Sequence, residues 1–359
     1  MNGIRGQLGR PPLMACAVGL VVGVLSLGVG LVCGQDGPVL AAMGASFLLT
    51  AGIAAGCLAL SAAVHLAEGE WASGLLRVAH ATSTYLFAAV VVLGVLVLTG
   101  HRWMPDSEGL GVFFISRECV VTVLLLLAAR LYVRRLARGQ KIGPAAVGYL
   151  FAYVTALSSW GVDFTSGTRH WAPSTVLPPF FFMSALLGAL AWSTLVALLR
   201  REQPLDESSR HDAGKLLFGL ACFWLYLIFA SYLPLWYANI PEETGFLFDR
   251  LKGTFRWPTL LMLLATGAFP VALLLTEWAK LKRVLLGAAC VSILVGLTLE
   301  CALLVFPSLP YPISRLGALL GTGVAVGMFG LFGLSSGLIP SGATAGKWPG
   351  RRAAPSETT

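Results

Sequence analysis

Residues 215–244 read Lys215-Leu-Leu-Phe-Gly-Leu-Ala-Cys-Phe-Trp-Leu-Tyr-Leu-Ile-Phe-Ala-Ser-Tyr-Leu-Pro-Leu-Trp-Tyr-Ala-Asn-Ile-Pro-Glu-Glu-Thr244. No charged side chain occurs from Leu216 to Pro241. A run of that length exceeds the ~20 apolar residues a helix needs to cross a bilayer. It closes on Trp236-Tyr237, an Asn, a Pro and the adjacent carboxylates Glu242 and Glu243. A lipid-spanning helix requires only apolar surface, so this ending describes a specific structure at one membrane face.

The same pattern recurs along the chain. Apolar stretches lie near 12–33, 40–64, 81–100, 111–133, 143–163, 175–199, 215–238, 257–277, 284–306 and 316–338. The 359 residues are 57% hydrophobic and 12% charged, with mean hydropathy +0.79, outside the range of soluble domains. The sequence therefore predicts an all-α integral membrane protein of about ten transmembrane helices. Residues 1–345 form one membrane domain and 346–359 a disordered cytoplasmic tail. Loop spacing suggests two four-helix groups, spans 2–5 and 6–9, with spans 1 and 10 outside them.

The net charge of +8 records orientation rather than nucleic-acid binding. With ten spans, alternate loops fall on opposite sides, and one side collects 17 Lys and Arg against 7 on the other. Basic residues favour the cytoplasmic side, so both termini are expected there. Arg5 and Arg10 precede an apolar core too long for a signal-peptide h-region, which reads as a retained first helix. Tryptophans at span ends, among them Trp71, Trp236, Trp257 and Trp278, fit an interfacial aromatic belt.

Ionisable groups within spans are costly to insert, about 2.5–3.5 kcal/mol near the bilayer centre. Arg117 and Glu118 lie in the outer part of span 4. Asp163 ends span 5, and Glu300 interrupts the outer half of span 9. His170, Glu242 and Glu243 fall on the same side. Pairing or snorkelling also accounts for Arg117 and Glu118, and helix capping for Asp163. Glu300, between Leu299 and Cys301, is hardest to explain structurally. Glu242 and Glu243 after Pro241 also fit the first turn of a short helix. On the inner side His65 ends span 2, and His211-Asp212 precede span 7, with Asp212 expected as an N-cap before Gly214.

No cysteine pair has metal or haem-attachment spacing, and the five histidines lie at span ends or in loops. A haem held between two spans needs mid-span histidines. The residues thus offer no metal or covalent cofactor site, and any redox centre must belong to partners.

In this setting Leu235-Trp-Tyr-Ala-Asn-Ile-Pro-Glu-Glu-Thr244, followed by Arg250, resembles the NrfD-like polysulfide-reductase membrane-subunit family. Within it, the likeness is to the F-type subunits of alternative complex III. His211-Asp-Ala-Gly-Lys215, His65-Leu-Ala-Glu-Gly-Glu-Trp71 with Arg77, Asp163-Phe164 with Trp171, Ala268-Phe269-Pro270 and Ile339-Pro340 agree in order. The likeness covers about residues 45–340. It departs at Ala230-Ser231-Tyr232 and Pro234, and at His80 where an acid is often found.

The resemblance implies a multi-pass subunit of a quinol:cytochrome c oxidoreductase complex in a bacterial inner membrane. Its partners would be a sister NrfD-like subunit, an iron–sulfur protein, c-type cytochromes, lipid and in some assemblies a terminal oxidase. This chain would supply a cleft for a quinone or menaquinone, a proton route, or both. Asp163, Glu118, Glu243, Glu242 and Glu300 would accept protons on the outer side, with Arg117 orienting a neighbouring acid. Tyr232 and Trp236 would lie beside the cleft, and His65, His211 and Asp212 would serve the inner side. The rival readings are a membrane anchor without proton chemistry and a secondary transporter, which the glycine-rich spans 2 and 10 permit by allowing broken helices.

Overall fold

The computed structural model describes residues 10–100, 112–166, 175–200, 205–240, 244, 250–251, 253–309 and 313–337. Among them every regular element is helical. The elements are α1 (Arg10–Val32), α2 (Asp36–Leu66), α3 (Ser73–Ser83), α4 (Tyr85–Leu98), α5 (Val112–Ala137), α6 (Gly143–Ser166), α7 (Leu177–Leu199) and α8 (Glu207–Ala238). They continue as α9 (Arg256–Leu263), a π-turn (Leu264–Ala268), α10 (Phe269–Leu274), α11 (Glu277–Leu281), α12 (Arg283–Val305) and α13 (Arg315–Gly337).

Nine helical stretches among the described residues are long and apolar enough to cross a membrane. One joins α3 and α4 as Ser73–Leu98, and another joins α9, the π-turn and α10 as Gly253–Leu274. The remaining long helix, α5, has 26 residues but carries Arg117, Glu118, Arg130, Arg134 and Arg135.

The core is built around α2. Of its apolar stretch 94% lies inside the protein, against 17% for α1. A helix apolar on every face is stable only when surrounded, and α2 packs on α3, α4, α6, α7, α12 and α13. Small residues allow this. A Cβ on Gly56 would stand 2.7 Å from the Ala185 carbonyl oxygen of α7, so Gly52-Ile-Ala-Ala-Gly56 gives the close backbone approach of a small-xxx-small interface. At the periphery α1 lies along α13, where a Cβ on Gly23 would meet the Gly327 Cα at 2.4 Å. Both glycine-rich helices, α2 and α13, run unbroken.

Around α2, contacts link α2, α3–α4, α5 and α6, and separately α7, α8, α9–α10 and α12. The two sets meet where α7 packs on α2 and α6 and where α12 packs on α2.

Two boundaries differ from the expectation. The third span begins at Ser73, not near residue 81, because Leu75, Leu76, Val78 and Ala79 present a buried face ahead of the apolar run. The helix of span 7 begins at Glu207, so Asp212 is not its N-cap. Asp206 takes that place, accepting from the Ser209 N–H at 3.3 Å and from the Ser209 hydroxyl at 2.5 Å. Nothing in Ser208-Ser209-Arg210-His211 breaks a helix, so the polar segment adds turns before the membrane. Asp212 instead pairs with Lys215 at 3.4 Å within the helix. At the other end, Asn239 closes α8 in the left-handed conformation at φ 49°, a common helix stop. Pro234 is accommodated inside α8. Pro270 follows the π-turn, where the Phe269 N–H reaches back to the Leu264 carbonyl. A π-turn re-registers the backbone where proline supplies no N–H. The tail 346–359 lies outside the described residues.

Candidate functional site

Three polar constellations are set into this apolar frame. The first joins α5 and α6. Val112–Ala137 and Gly143–Ser166 are antiparallel neighbours, so the start of one meets the end of the other. Arg117 forms an ion pair with Asp163, whose side chain is 6% exposed against 39% for Arg117. Ser159, one turn before Asp163, donates to Glu118 Oε1 at 2.6 Å and lies 3.3 Å from Asp163 Oδ2. Glu118 is buried, and its Oε2 has no hydrogen-bond partner among the described residues. One serine hydroxyl therefore sits between two carboxyls, with one guanidinium on the outermost. Beside them is a cleft of about 210 Å³ lined by Phe47, Leu86, Thr122, Leu125 and Trp160. Thr122 Oγ1 and Trp160 Nε1, both buried, make no hydrogen bond among the described residues.

The second joins α8 and α12. Glu300, 2% exposed, accepts from Trp224 Nε1 at 2.8 Å. Glu300 forms no salt bridge among the described residues. With Ser184, Ile53 and Cys301 it lines a cleft of about 230 Å³. One turn further along α12, Arg250 is buried and donates to the Leu303 carbonyl at 2.6 Å. A cation there answers both an orphan helix carbonyl and the negative end of the helix dipole.

The third lies where α2 ends. Ser61, His65, His80 and Tyr132 come from α2, α3 and α5. Ser61 Oγ is 2.7 Å from His80 Nε2 and 2.8 Å from the Tyr132 hydroxyl. The Tyr132 hydroxyl is 2.9 Å from His65 Nδ1, which in turn lies 2.7 Å from the Ser61 carbonyl oxygen. Ser61 and Tyr132 are fully buried, and the Tyr132 ring stacks on Tyr149. This network was not assembled from the sequence. Ser61 and Tyr132 carry no local mark, and His80 stood only as a departure from a family pattern.

The other expected residues are dispersed. His211 Nε2 approaches Glu277 Oε1 at 3.4 Å on a surface where Glu277 is 75% exposed, and Asp212 pairs with Lys215. Tyr232 and Trp236 are exposed on α8, apart from Trp224 on its buried face. Glu242, Glu243 and His170 lie outside the described residues. At the N-terminus of α8 the Ser209 hydroxyl and then its N–H hold the Asp206 carboxyl below the ordinary carboxylate range.

Among the described residues no three His, Cys, Asp or Glu side chains are grouped to hold a metal ion. With the volume open to solvent set aside, each cleft has about 10 Å³ of room, enough for about one water and not for a small molecule. Chemically, the first two constellations offer buried carboxyls bonded to a hydroxyl or an indole, and the third a closed set of imidazoles and hydroxyls. These are groups that hold and pass protons. No protein-family model matches the chain, and no curated protein matches it.

Proposed function

We propose that the chain is a non-redox membrane subunit of a quinol-oxidising respiratory complex of the alternative complex III kind, seated in a bacterial inner membrane. An iron–sulfur protein, c-type cytochromes and a sister NrfD-like subunit would hold the redox centres and the quinol. In this reading α5 is the tenth span and both termini are cytoplasmic. The contacts around α2 support two four-helix bundles, one from spans 2–5 and one from spans 6–9, with α1 and α13 paired outside them. The end bearing Glu118, Asp163 and Glu300 then faces outward.

The part assigned to this chain is a proton route rather than a quinone cleft. The observation that carries it is the buried Arg117–Asp163–Ser159–Glu118 constellation, two carboxyls bridged by one hydroxyl inside a helix pair. The small size of both described clefts also favours protons over a quinone ring. The isolated complex provides the test. Asp163→Asn and Glu118→Gln, with assembly intact, should lower quinol:acceptor turnover by about 100-fold or displace its pH dependence. Unchanged turnover and pH profile in both variants would establish the anchor reading instead. The Arg117–Asp163 pair favours that alternative to the extent that it fastens two helices. Transport by broken helices loses its support from α2 and α13, which are continuous.

A further inference from the structure

We propose that Ser61, His65, His80 and Tyr132 form a proton-binding site in which one proton is shared between the two imidazoles through a hydrogen-bond chain. Its role as the inner portion of a proton route rests on the function proposed above, whereas the site itself rests on geometry alone.

The Ser61 carbonyl sets the polarity. That oxygen can only accept, and it lies 2.7 Å from His65 Nδ1. His65 Nδ1 therefore carries hydrogen, and in the neutral ring Nε2 is the bare nitrogen. An Nδ1–H has no lone pair to offer Tyr132, so at 2.9 Å the tyrosine oxygen accepts a share of that same hydrogen. The Tyr132 O–H is then free to donate to Ser61 Oγ at 2.8 Å. Ser61 in turn donates to His80 Nε2 at 2.7 Å. In the resting state the donors run from His65 through Tyr132 and Ser61 to His80, and the direct approach of His65 Nδ1 to Ser61 Oγ is the longest of the set, at 3.4 Å. The opposite polarity places a lone pair on His65 Nδ1 against the carbonyl oxygen, which makes it the less favourable of the two states and not the resting one.

This arrangement moves a proton without moving a heavy atom. When His65 takes a proton on Nε2, its Nδ1 hydrogen passes to the Tyr132 oxygen. The tyrosine hydrogen passes to Ser61 Oγ, and the serine hydrogen to His80 Nε2. Three O–H or N–H bonds form and three break. The positive charge leaves His65 and arrives on His80, and both hydroxyls end neutral. The shifted state has the reversed polarity, with a bare His65 Nδ1 against the Ser61 carbonyl, and that repulsion drives the return along the same bonds.

The surroundings keep the chain closed. Tyr149, stacked on Tyr132 at 6.1 Å, donates instead to the Ala55 carbonyl. Tyr153 on the same helix donates to the Phe182 carbonyl. Cys57, one turn along α2 from Ser61, faces Ser193 of α7 at 3.6 Å. The charged groups at this end of the packed elements are Arg77 on α3, Arg130, Arg134 and Arg135 on α5 with Arg138 just past it, Lys141 just before α6, and Glu68 just past α2. All are exposed except Arg135, which is partly buried. On α4, α7 and α13 no charged group reaches this end among the described residues except Arg200, at the end of α7.

The test uses the full chain in lipid bilayers with 15N-labelled histidine. The chain has five histidines, and His65→Asn and His80→Asn assign the two rings by nitrogen-15 NMR. In the wild-type protein both rings are expected to respond to a single protonation step. In Ser61→Ala and in Tyr132→Phe they should titrate as two independent groups, and Ser61→Thr, which keeps the hydroxyl, should restore the shared step. Independent titration in the wild type, or a shared step that survives both hydroxyl deletions, overturns the proposal. Turnover of the complex separates the two levels. A shared step with turnover indifferent to Ser61→Ala would sink the proton-route reading and leave the site standing. Independent titration sinks the site whatever the turnover.

Discussion

In the topology proposed above, the outer and inner ends of the helix assembly handle buried polarity in different ways. The outer end buries carboxyls. Glu118 and Asp163 share Ser159 and the Arg117 guanidinium, and Glu300 rests on the Trp224 indole. The inner end buries imidazoles and hydroxyls in a loop of bonds that needs no counter-charge while it is neutral, and leaves its ions at the surface, where Lys215 meets Asp212. The difference follows from what each group demands. An ionised carboxyl away from water must be paired, and removing the partner exposes the whole desolvation cost. Neutral donors and acceptors need only one another, and they lose far less when one bond is cut.

The most direct way to break this contrast is Arg117→Met. It should leave two buried carboxyls with one hydroxyl between them and cost about 3 kcal/mol, toward the low end for a buried pair because Arg117 is 39% exposed. Reversible unfolding in mixed detergent micelles measures it. The double variant Arg117→Met with Asp163→Asn should recover much of the loss. A loss under about 1 kcal/mol would class the pair with surface ion pairs and erase the distinction between the ends.

Next in size is Trp224→Phe, which keeps a ring against Phe180 and removes the indole N–H from Glu300. The expected loss is about 1–3 kcal/mol, since the acceptor stays buried without its donor. Adding Glu300→Leu should return part of it. If the double variant is no better than the single one, the loss came from packing and Glu300 has another donor.

The inner end should respond more weakly. Asp206→Ala removes the N-cap of α8 and should cost about 1 kcal/mol. Its pH dependence has a definite sign. The folded-state pKa of Asp206 is depressed, so its contribution is complete above the ordinary aspartate value of about 3.9. It is lost as pH falls below that value and through the lower folded one. The wild type and Asp206→Ala should therefore converge in stability in strong acid, separate as pH rises through the depressed value toward about 4, and differ by a constant amount above it.

How much of this was legible follows the same division. Apolar runs placed most of the long helices to within a few residues, because lipid-length hydrophobicity is a property of sequence alone, but the third and seventh spans begin earlier, at Ser73 and Glu207, where polar residues continue the helix. Glu118, Asp163 and Glu300 stood out because a charge inside a span is conspicuous. Ser61 and Tyr132 did not, because a serine or tyrosine in an apolar helix has many ordinary uses. Only packing brings positions 61, 65, 80 and 132 together. Asp212 misled for a related reason. It precedes the apolar run as an N-cap should, but the helix had already begun two turns earlier at a better one. The Trp224–Glu300 bond joins residues 76 positions apart, beyond the reach of any local pattern.

The finest distinction within the inner end concerns two helix stops of one design. After α2, the Glu68 N–H bonds the His65 carbonyl and the Gly69 N–H the Val64 carbonyl, with Glu68 left-handed at φ 52°. After α5, the Gly139 N–H bonds Leu136 and the Gln140 N–H bonds Arg135, with Gly139 at φ 62°. Both are Schellman stops, but only one uses the residue that suits the conformation. A side chain in that region costs about 1–2 kcal/mol, and glycine returns about 0.5–1 kcal/mol of that through the freer unfolded chain. Glu68→Gly should therefore stabilise by about 0.5 kcal/mol, whereas Gly139→Ala should destabilise by about 1 kcal/mol. Because Glu68 lies three residues beyond His65, the substitution also asks whether the histidine chain depends on the stop. With the stop's bonds unchanged, the shared protonation step of His65 and His80 should persist in Glu68→Gly. If stability rises and the step splits, the exposed Glu68 carboxylate, rather than Ser61 and Tyr132 alone, helps to hold the proton.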